Sequence, residues 1–324
     1  MITWIVRRLI QACFVVLAMT AIVFVGVHVI GNPVDILISP EADQAERARI
    51  IASMGLDQPL WRQYGYFLWD ALHGDLGRSF VFNEPALRLI AQRMPATLEL
   101  AVTAVLFSII FGVPLGLYAG LRPDGFSARA IMAGSILGFS LPGFWVGLML
   151  IMVFAVQLGW LPSTGRGQTE MLFGVPWSFL TWDGLRHMFM PALNLSLFNI
   201  SLVLRLSRAG VRETLPMDFV KFARAKGLAP SRVIFVHVLK NIMIPIVTVL
   251  GLELGSTIAF AVVTESVFAW PGMGKLIIDS INVLDRPVIV AYLMMIVLLF
   301  IAINLAVDIL YMVLDPRVRL ERKA

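Results

Sequence analysis

The sequence predicts an all-α integral membrane protein of six transmembrane helices with both termini in the cytoplasm. Three observations predict it. First, 59% of the 324 residues are hydrophobic and only 15% are charged, against about 25% charged in a soluble domain. Second, the apolar excess is gathered into runs of the ~20 residues needed to cross a bilayer as a helix. Third, Lys and Arg are distributed unevenly between alternate connecting segments, as the positive-inside rule requires.

The first run, about Leu9–Ile30, follows Arg7-Arg8. It is longer than the ~7–15 apolar residues of a secretory signal and shows no small-residue cleavage site, so it reads as an uncleaved span. The other five are expected near Ala96–Leu121, Ala130–Leu158, Met188–Leu206, Ile242–Val263 and Val288–Leu314. A run of ~22 residues reaches ~33 Å, enough for the ~30 Å hydrocarbon core. Lipid offers backbone groups no partner, which makes these runs helices. The chain therefore divides into residues 1–30 with the first span, an extracytoplasmic loop 31–95, a five-helix core 96–314, and a tail 315–324. The 31–95 loop carries short helical patterns at Pro40–Met54 and Pro59–Leu72 and reads as a packed cap. A second long loop, 207–241, interrupts the core.

With the N-terminus inside, the inner segments hold Arg7, Arg8, Arg122, Arg129, Arg205, Arg208, Arg212, Lys221, Arg224, Lys226, Arg232, Lys240, Arg317, Arg319, Arg322 and Lys323. The short outer loops hold only Arg166, Arg186, Lys275 and Arg286. The 31–95 loop is long enough to escape the rule. The net charge of +5 is thus a topology signal spread between spans. It forms no basic face, which argues against a nucleic-acid partner.

Small residues recur four apart at Gly112, Gly116 and Gly120, at Gly134 and Gly138, at Gly143 and Gly147, and at Gly251 and Gly255. Such seams let helices approach closely, within one bundle or between two subunits. Pro114 and Pro142 are expected to kink their spans. Polar side chains inside spans are costly and face protein or water. The fourth span carries Asn194, Phe198, Ser201 and Arg205 at steps of 4, 3 and 4, on one face, with Ser196 and Asn199 on a neighbouring face. The fifth carries Thr248, Glu253, Ser256 and Thr257. Either set can serve inter-helix hydrogen bonding or line a polar path.

In the 207–241 loop, a short helix is expected to begin near Asp218, an acidic residue suited to the positive helix end. Phe219, Phe222 and Ala223 form its apolar face, and Lys221, Arg224 and Lys226 its polar complement. Gly227 ends it and Pro230 prevents continuation; Ser231 can cap the helix leading into the fifth span.

The stretch Phe219–Gly227, with Ala223-Arg224-Ala225-Lys226-Gly227, resembles the cytoplasmic loop of ABC importer permeases, in their dipeptide/oligopeptide/nickel branch. The general family pattern of Glu-Ala-Ala, three residues and Gly reads here as Lys221-Phe222-Ala223 and Gly227. Its Ile-x-Leu-Pro reads as His237-Val238-Leu239-Lys240. These departures disfavour a sugar or phosphate permease and suit the peptide branch, where the proline falls later, as Pro245 does. Further stretches resemble that branch: Gly55-Leu56-Asp57-Gln58-Pro59-Leu60, Gly74-Asp75-Leu76-Gly77-Arg78-Ser79, Arg93-Met94-Pro95-Ala96-Thr97-Leu98, Leu161–Gly165, Glu265–Gly274 and Leu314–Arg319.

The resemblance implies a type I ABC importer permease fold in the bacterial cytoplasmic membrane. It implies an ATPase-docking coupling helix at Asp218, Phe219, Phe222, Ala223, Arg224, Ala225, Lys226 and Gly227. It also implies a path along the fourth and fifth spans, and an outer loop or gate at Glu265, Phe268, Trp270 and Pro271. Implied partners are a second homologous permease, two ATP-binding subunits and an extracytoplasmic binding protein. Di- or oligopeptides are the implied cargo; nickel chelates, glutathione or opine-like solutes are carried by the same architecture. A stand-alone secondary transporter is the rival from a different class.

No cofactor or metal is expected: the lone Cys13 and four scattered histidines have no ligand spacing. Pro271–Leu276 is not a phosphate-binding loop, because Ala269 and Leu276 stand where Gly and Ser/Thr are needed. The chain is expected to be no enzyme and to borrow its energy from partner subunits.

Overall fold

The computed structural model describes residues 2–29, 52 and 57–314. The helical pattern at 40–54 (residue 52 apart), Gly55-Leu56 and the tail 315–324 lie outside the described residues. The described chain is almost wholly helical. The elements are α1 (Ile2–Val29), α2 (Leu60–Leu72), α3 (Ala86–Leu121), α4 (Phe126–Ser140), α5 (Gly143–Gln157), α6 (Trp182–Thr214), α7 (Asp218–Ala225), α8 (Pro230–Val267), α9 (Met273–Asn282) and α10 (Arg286–Leu314). One hairpin, β1 (Glu170–Leu172) and β2 (Val175–Trp177), supplies the only strands among the described residues. Its two-residue turn, Phe173-Gly174, has positive φ at both positions, matching the twist of the flanking strands.

Five helices are long and apolar enough to cross a membrane: α1, α3, α6, α8 and α10. They overrun the expected boundaries. The 36 residues of α3 extend ~54 Å, so polar turns continue the helix beyond the apolar run. The third expected span is not one kinked helix. It is the pair α4 and α5, turned by 108°. The cause lies at Leu141-Pro142. A proline ring excludes the α region for the residue before it, and Leu141 adopts ψ 136° and Pro142 ψ 128°. Two consecutive extended residues redirect the chain far more than a missing hydrogen bond would. At Pro114 the response differs: α3 widens into a π turn at Ser108–Gly112, which absorbs the lost donor and the crowded carbonyl at Ile110 without breaking the helix.

The chain divides into two compact units, Met1–Gln92 with Leu276–Ile301, and Arg93–Lys275 with Ala302–Ala324. In the first, α2 lies against α1. Tyr64 and Thr20 share a hydrogen bond of 2.8 Å, and Phe24 packs on Tyr64 and Phe67. Val23, Val290 and Met294 form the buried cluster beneath. Asp285, fully buried, accepts from the Ser79 hydroxyl and the Phe80 N–H, which fastens the loop before α3 to the segment before α10.

In the second unit, α6 is the central helix. Thr181 caps it by accepting from Gly184 N–H at 2.9 Å, and Asp183 sits in its positive first turn. The glycine seam of α3 packs on it. A Cβ on Gly116 would stand 2.4 Å from the Leu204 carbonyl; one on Gly112 or Gly120 would meet Val203 or Val211 within 3 Å. This seam therefore belongs to the bundle of one chain. Gly251 meets Val307 of α10 in the same way, whereas Gly134 and Gly143 have nothing within 4 Å. The main core joins α3, α6, α7 and α8 through Val113, Leu117, Val203, Val211, Val220, Val233, Val238 and Ile242.

Candidate functional site

Three places in the second unit gather the residues singled out by the sequence. The first is a cavity of ≈ 500 Å³ between α5, α6 and α8. Asn194, Phe198 and Asn199 of α6 line it, with Glu253, Ser256, Thr257, Phe260 and Thr264 of α8 and Phe144 of α5. Two side-chain bridges tie its walls. Asn194 Nδ2 donates to Thr264 Oγ1 at 3.0 Å, and Asn199 Nδ2 donates to Thr257 Oγ1 at 2.9 Å. The Thr257 hydroxyl itself donates to the Glu253 backbone carbonyl at 2.7 Å. The polar α8 residues recur at i, i+4 and i+11, one helical face.

Five of the eight residues assigned to a path thus lie together: Asn194, Phe198, Glu253, Ser256 and Thr257. Ser201, Arg205 and Thr248 do not line the cavity. Ser201 is buried, donates back to the Leu197 carbonyl and faces Gly138 of α4. Arg205 spreads its guanidinium over the Phe139 ring at 4.9 Å, and Phe139 stacks on Phe198 at 5.1 Å. The end of α4 therefore covers the second half of the face that Asn194 begins. Thr248 bonds its own helix at the Ile244 carbonyl. Thr264 and Asn199 complete the cavity; Thr264 is legible from its place one face-repeat beyond Thr257. Phe144 is not, because it enters from beyond the 108° turn.

The second place is α7. Its buried face is Val220 and Ala223, inserted among Val211, Val233, Val238 and Ile242. This corrects the apolar face expected from Phe219, Phe222 and Ala223. Phe219 is 42% and Phe222 61% exposed; Phe219 borders the buried face, and Phe222 points away from Val220. Phe222 carries Lys226 over its ring at 4.6 Å, and Lys221 pairs with Asp218 at 2.9 Å across exposed surface. Gly227 ends the helix at φ +73°. Its N–H reaches the Arg224 carbonyl and the Leu228 N–H reaches Ala223, a glycine-terminated C-cap. The next helix starts with Pro230 at its first position after Ala229, so Ser231 is inside the helix and does not cap it; proline suits that position because its missing N–H has no partner there.

The third place contains the residues expected on an outer loop. Glu265 lies in the last turn of α8, Phe268 caps that helix, and both are buried with Trp270; Pro271 is half-buried. The Glu265 carboxylate accepts from Thr97 Oγ1 at 2.6 Å and Lys275 N–H at 2.9 Å. Gly272 and Gly274 close over it: a Cβ on Gly272 would stand 2.2 Å from Glu265 Oε1. Trp270 Nε1 donates to the Ala96 carbonyl at 2.9 Å. A second carboxylate, Glu99, binds Arg166 at 2.7 Å and the N–H groups of Ser178 and Phe179 at 2.6 and 2.8 Å. Glu99 was not singled out by the sequence. Together these bonds clamp the turn after α8 and the hairpin segment onto α3, and they present no open surface at Glu265, Phe268 or Trp270.

Comparison with known proteins shows the family of the chain. Residues 112–320 match the family described as binding-protein-dependent transport system inner membrane component, and residues 1–101 match the N-terminal region of such membrane components. The chain is 36% identical to the dipeptide transport system permease protein DppB of Escherichia coli, over 98% of this chain and 99% of that one. It is 37% identical to the di/tripeptide transport system permease protein DppB of Pseudomonas aeruginosa, over 99% and 100%. It is 35% identical to the glutathione transport system permease protein GsiC of Escherichia coli, over 98% and 99%. A solved structure of the MetNI methionine ABC transporter, in an inward-facing conformation, superposes at TM-score 0.56 with 19% identity, over 72% of this chain and 99% of that chain. That likeness is one of fold.

Proposed function

Because the chain belongs to the family of binding-protein-dependent transport system inner membrane components, a multi-pass inner-membrane permease of an ABC importer, we propose that it carries di- or oligopeptides. In this reading it forms half of the substrate pathway beside a second, homologous permease, and two ATP-binding subunits supply the energy. An extracytoplasmic binding protein delivers the cargo.

The observation that carries the proposal is the cavity between α5, α6 and α8, with amides, hydroxyls and one carboxylate set among Phe144, Phe198 and Phe260. A peptide offers N–H groups, carbonyls and side chains of any polarity. A mixed polar and aromatic wall suits such cargo without reading one side chain. The similarity to dipeptide and di/tripeptide permeases supports the same cargo. Glutathione is itself a peptide, so the similarity to a glutathione permease stays within the class.

The coupling step is assigned to α7. Its inner residues, Val220 and Ala223, root it in the core shared with α6 and α8. Its outer residues, Phe219, Phe222 and Lys226, offer an ATPase subunit an aromatic and cationic grip. Displacement of α7 is thereby transmitted to two of the three helices that line the cavity, α6 and α8, which alternates access. Reconstitution tests the proposal. The four-subunit complex in liposomes should take up labelled dipeptide only with ATP inside and loaded binding protein outside. Uptake by this chain without ATPase subunits would instead establish a secondary transporter.

A further inference from the structure

Glu253 is the one ionisable residue in the cavity wall; no Lys, Arg or His lines it. Among the described residues its carboxylate has no ion-pair or hydrogen-bond partner. An acidic side chain within a spanning helix is costly unless something compensates it. Arg205, the cation on the Asn194 face of α6, is held over Phe139. Two further groups sit in the same wall. Asn194 and Asn199 are buried, at 6% and 2% relative exposure. Their amide nitrogens are committed to Thr264 and Thr257, and their Oδ1 atoms, which have no donor, are shielded from the cavity space. The cavity thus presents one unpaired carboxylate, Glu253, and no cation, with Phe144, Phe198 and Phe260 around it.

We propose that this cavity is a binding site for a protonated amine, with Glu253 as the ion-pairing group and Phe144, Phe198 and Phe260 as the aromatic wall around it. On the peptide reading above, on which this assignment of cargo rests, the ligand is the α-ammonium group of the peptide. An ammonium group has three donors and no acceptor, the complement of this wall. Aromatic faces add attraction for a cation. An anionic solute is repelled by the Glu253 carboxylate. The site favours entry of the amino end over the carboxyl end.

The test separates the charge of the cavity from the identity of the cargo. In the assembled complex in nanodiscs, Cys13→Ser removes the chain's single thiol and Ser256→Cys places one in the cavity wall. Its labelling by a trimethylammonium and a sulfonate methanethiosulfonate is read on this chain by mass spectrometry. Relative to a free thiol, the cationic reagent should be favoured about tenfold, as a unit charge within one helical turn allows at intermediate dielectric. Glu253→Gln should abolish that preference; an unchanged ratio overturns the site whatever the cargo. In liposomes, dipeptide and its N-acetylated form are each presented at saturation of the binding protein. Glu253→Gln should slow uptake of the free amine about tenfold and leave the acetylated form unaffected. Equal effects on both overturn the ammonium assignment. Absence of any peptide uptake by the unsubstituted complex overturns the peptide reading, while the labelling ratio still decides the charge of the site.

Discussion

Glu265 shows how a residue that reads as an exposed loop acid becomes a fastener. It is fully buried, and two donors from separate segments, Thr97 and Lys275, end on its carboxylate. Glu265→Ala removes both acceptors, so the buried Thr97 hydroxyl and the Lys275 N–H each lose a hydrogen bond. The expected cost is about 3 kcal/mol, read as a lower thermal midpoint of the purified complex. Gly272→Ala should destabilise comparably, because its Cβ would overlap the carboxylate; a wild-type midpoint for both would show that the clamp contributes nothing. At this scale the sequence was most legible where cost alone identifies a residue. Glu253 stands out because an acid in an apolar run is expensive wherever it points. Glu99 did not, because its significance depends on Arg166, Ser178 and Phe179 arriving from far along the chain. Ser201 and Arg205 share a face with Asn194 but are covered by α4, and helical periodicity carries no information about what covers a face.

Helices were legible as elements because lipid leaves the backbone few alternatives, and apolar length then marks each crossing. Their ends were not: α3, α6 and α8 continue through polar residues that hydropathy cannot separate from loop. The α4–α5 turn was legible only as a proline, since a kink and a 108° reversal differ in two ψ angles that tertiary packing selects. For α7 the composition was clear and its rotation was not. Phe219 and Phe222 looked like the packed face because they are large, yet the pocket among Val211, Val233 and Ile242 is filled by the small Val220 and Ala223. The two faces make opposite predictions. Ala223→Glu buries an unpaired charge and should prevent accumulation of folded subunit, a loss of several kcal/mol, seen as absence from the membrane fraction. Phe222→Asp lies in solvent and should leave the subunit folded within about 0.5 kcal/mol. It should nevertheless weaken ATPase binding and lower binding-protein-stimulated ATP hydrolysis at least about tenfold. Normal stimulated hydrolysis in Phe222→Asp would remove α7 from the docking role.

At the scale of the whole molecule, orientation is the property that the charge pattern proposes most directly. The sixteen cationic residues assigned to inner segments and the four assigned to short outer loops define one topology, in which the segment holding α7 and the tail face the cytoplasm. The α4–α5 pair makes this a physical question. Each half has at most 15 residues, about 22 Å of helix, too short to cross alone. If the pair crosses as one broken span and the N-terminus is inside, the hairpin after α5 lies outside and α7 inside. If it is re-entrant, one fewer crossing precedes α6 and the two exchange sides: the hairpin with Arg166 lies inside and the cationic α7 surface outside. Broken spans of this kind persist where the exposed backbone lines a cavity, and Gly143 and Phe144, just after the break, line one here. The crossing arrangement is therefore expected. Reporters that fluoresce only in the cytoplasm or act only outside it, inserted after Phe173 at the exposed hairpin tip and at the C-terminus, should report opposite compartments, outside and inside respectively. The reverse assignment, hairpin inside and C-terminus outside, would make the pair re-entrant, and would leave five crossings and an α7 that no cytoplasmic ATPase could reach while the N-terminus stays inside.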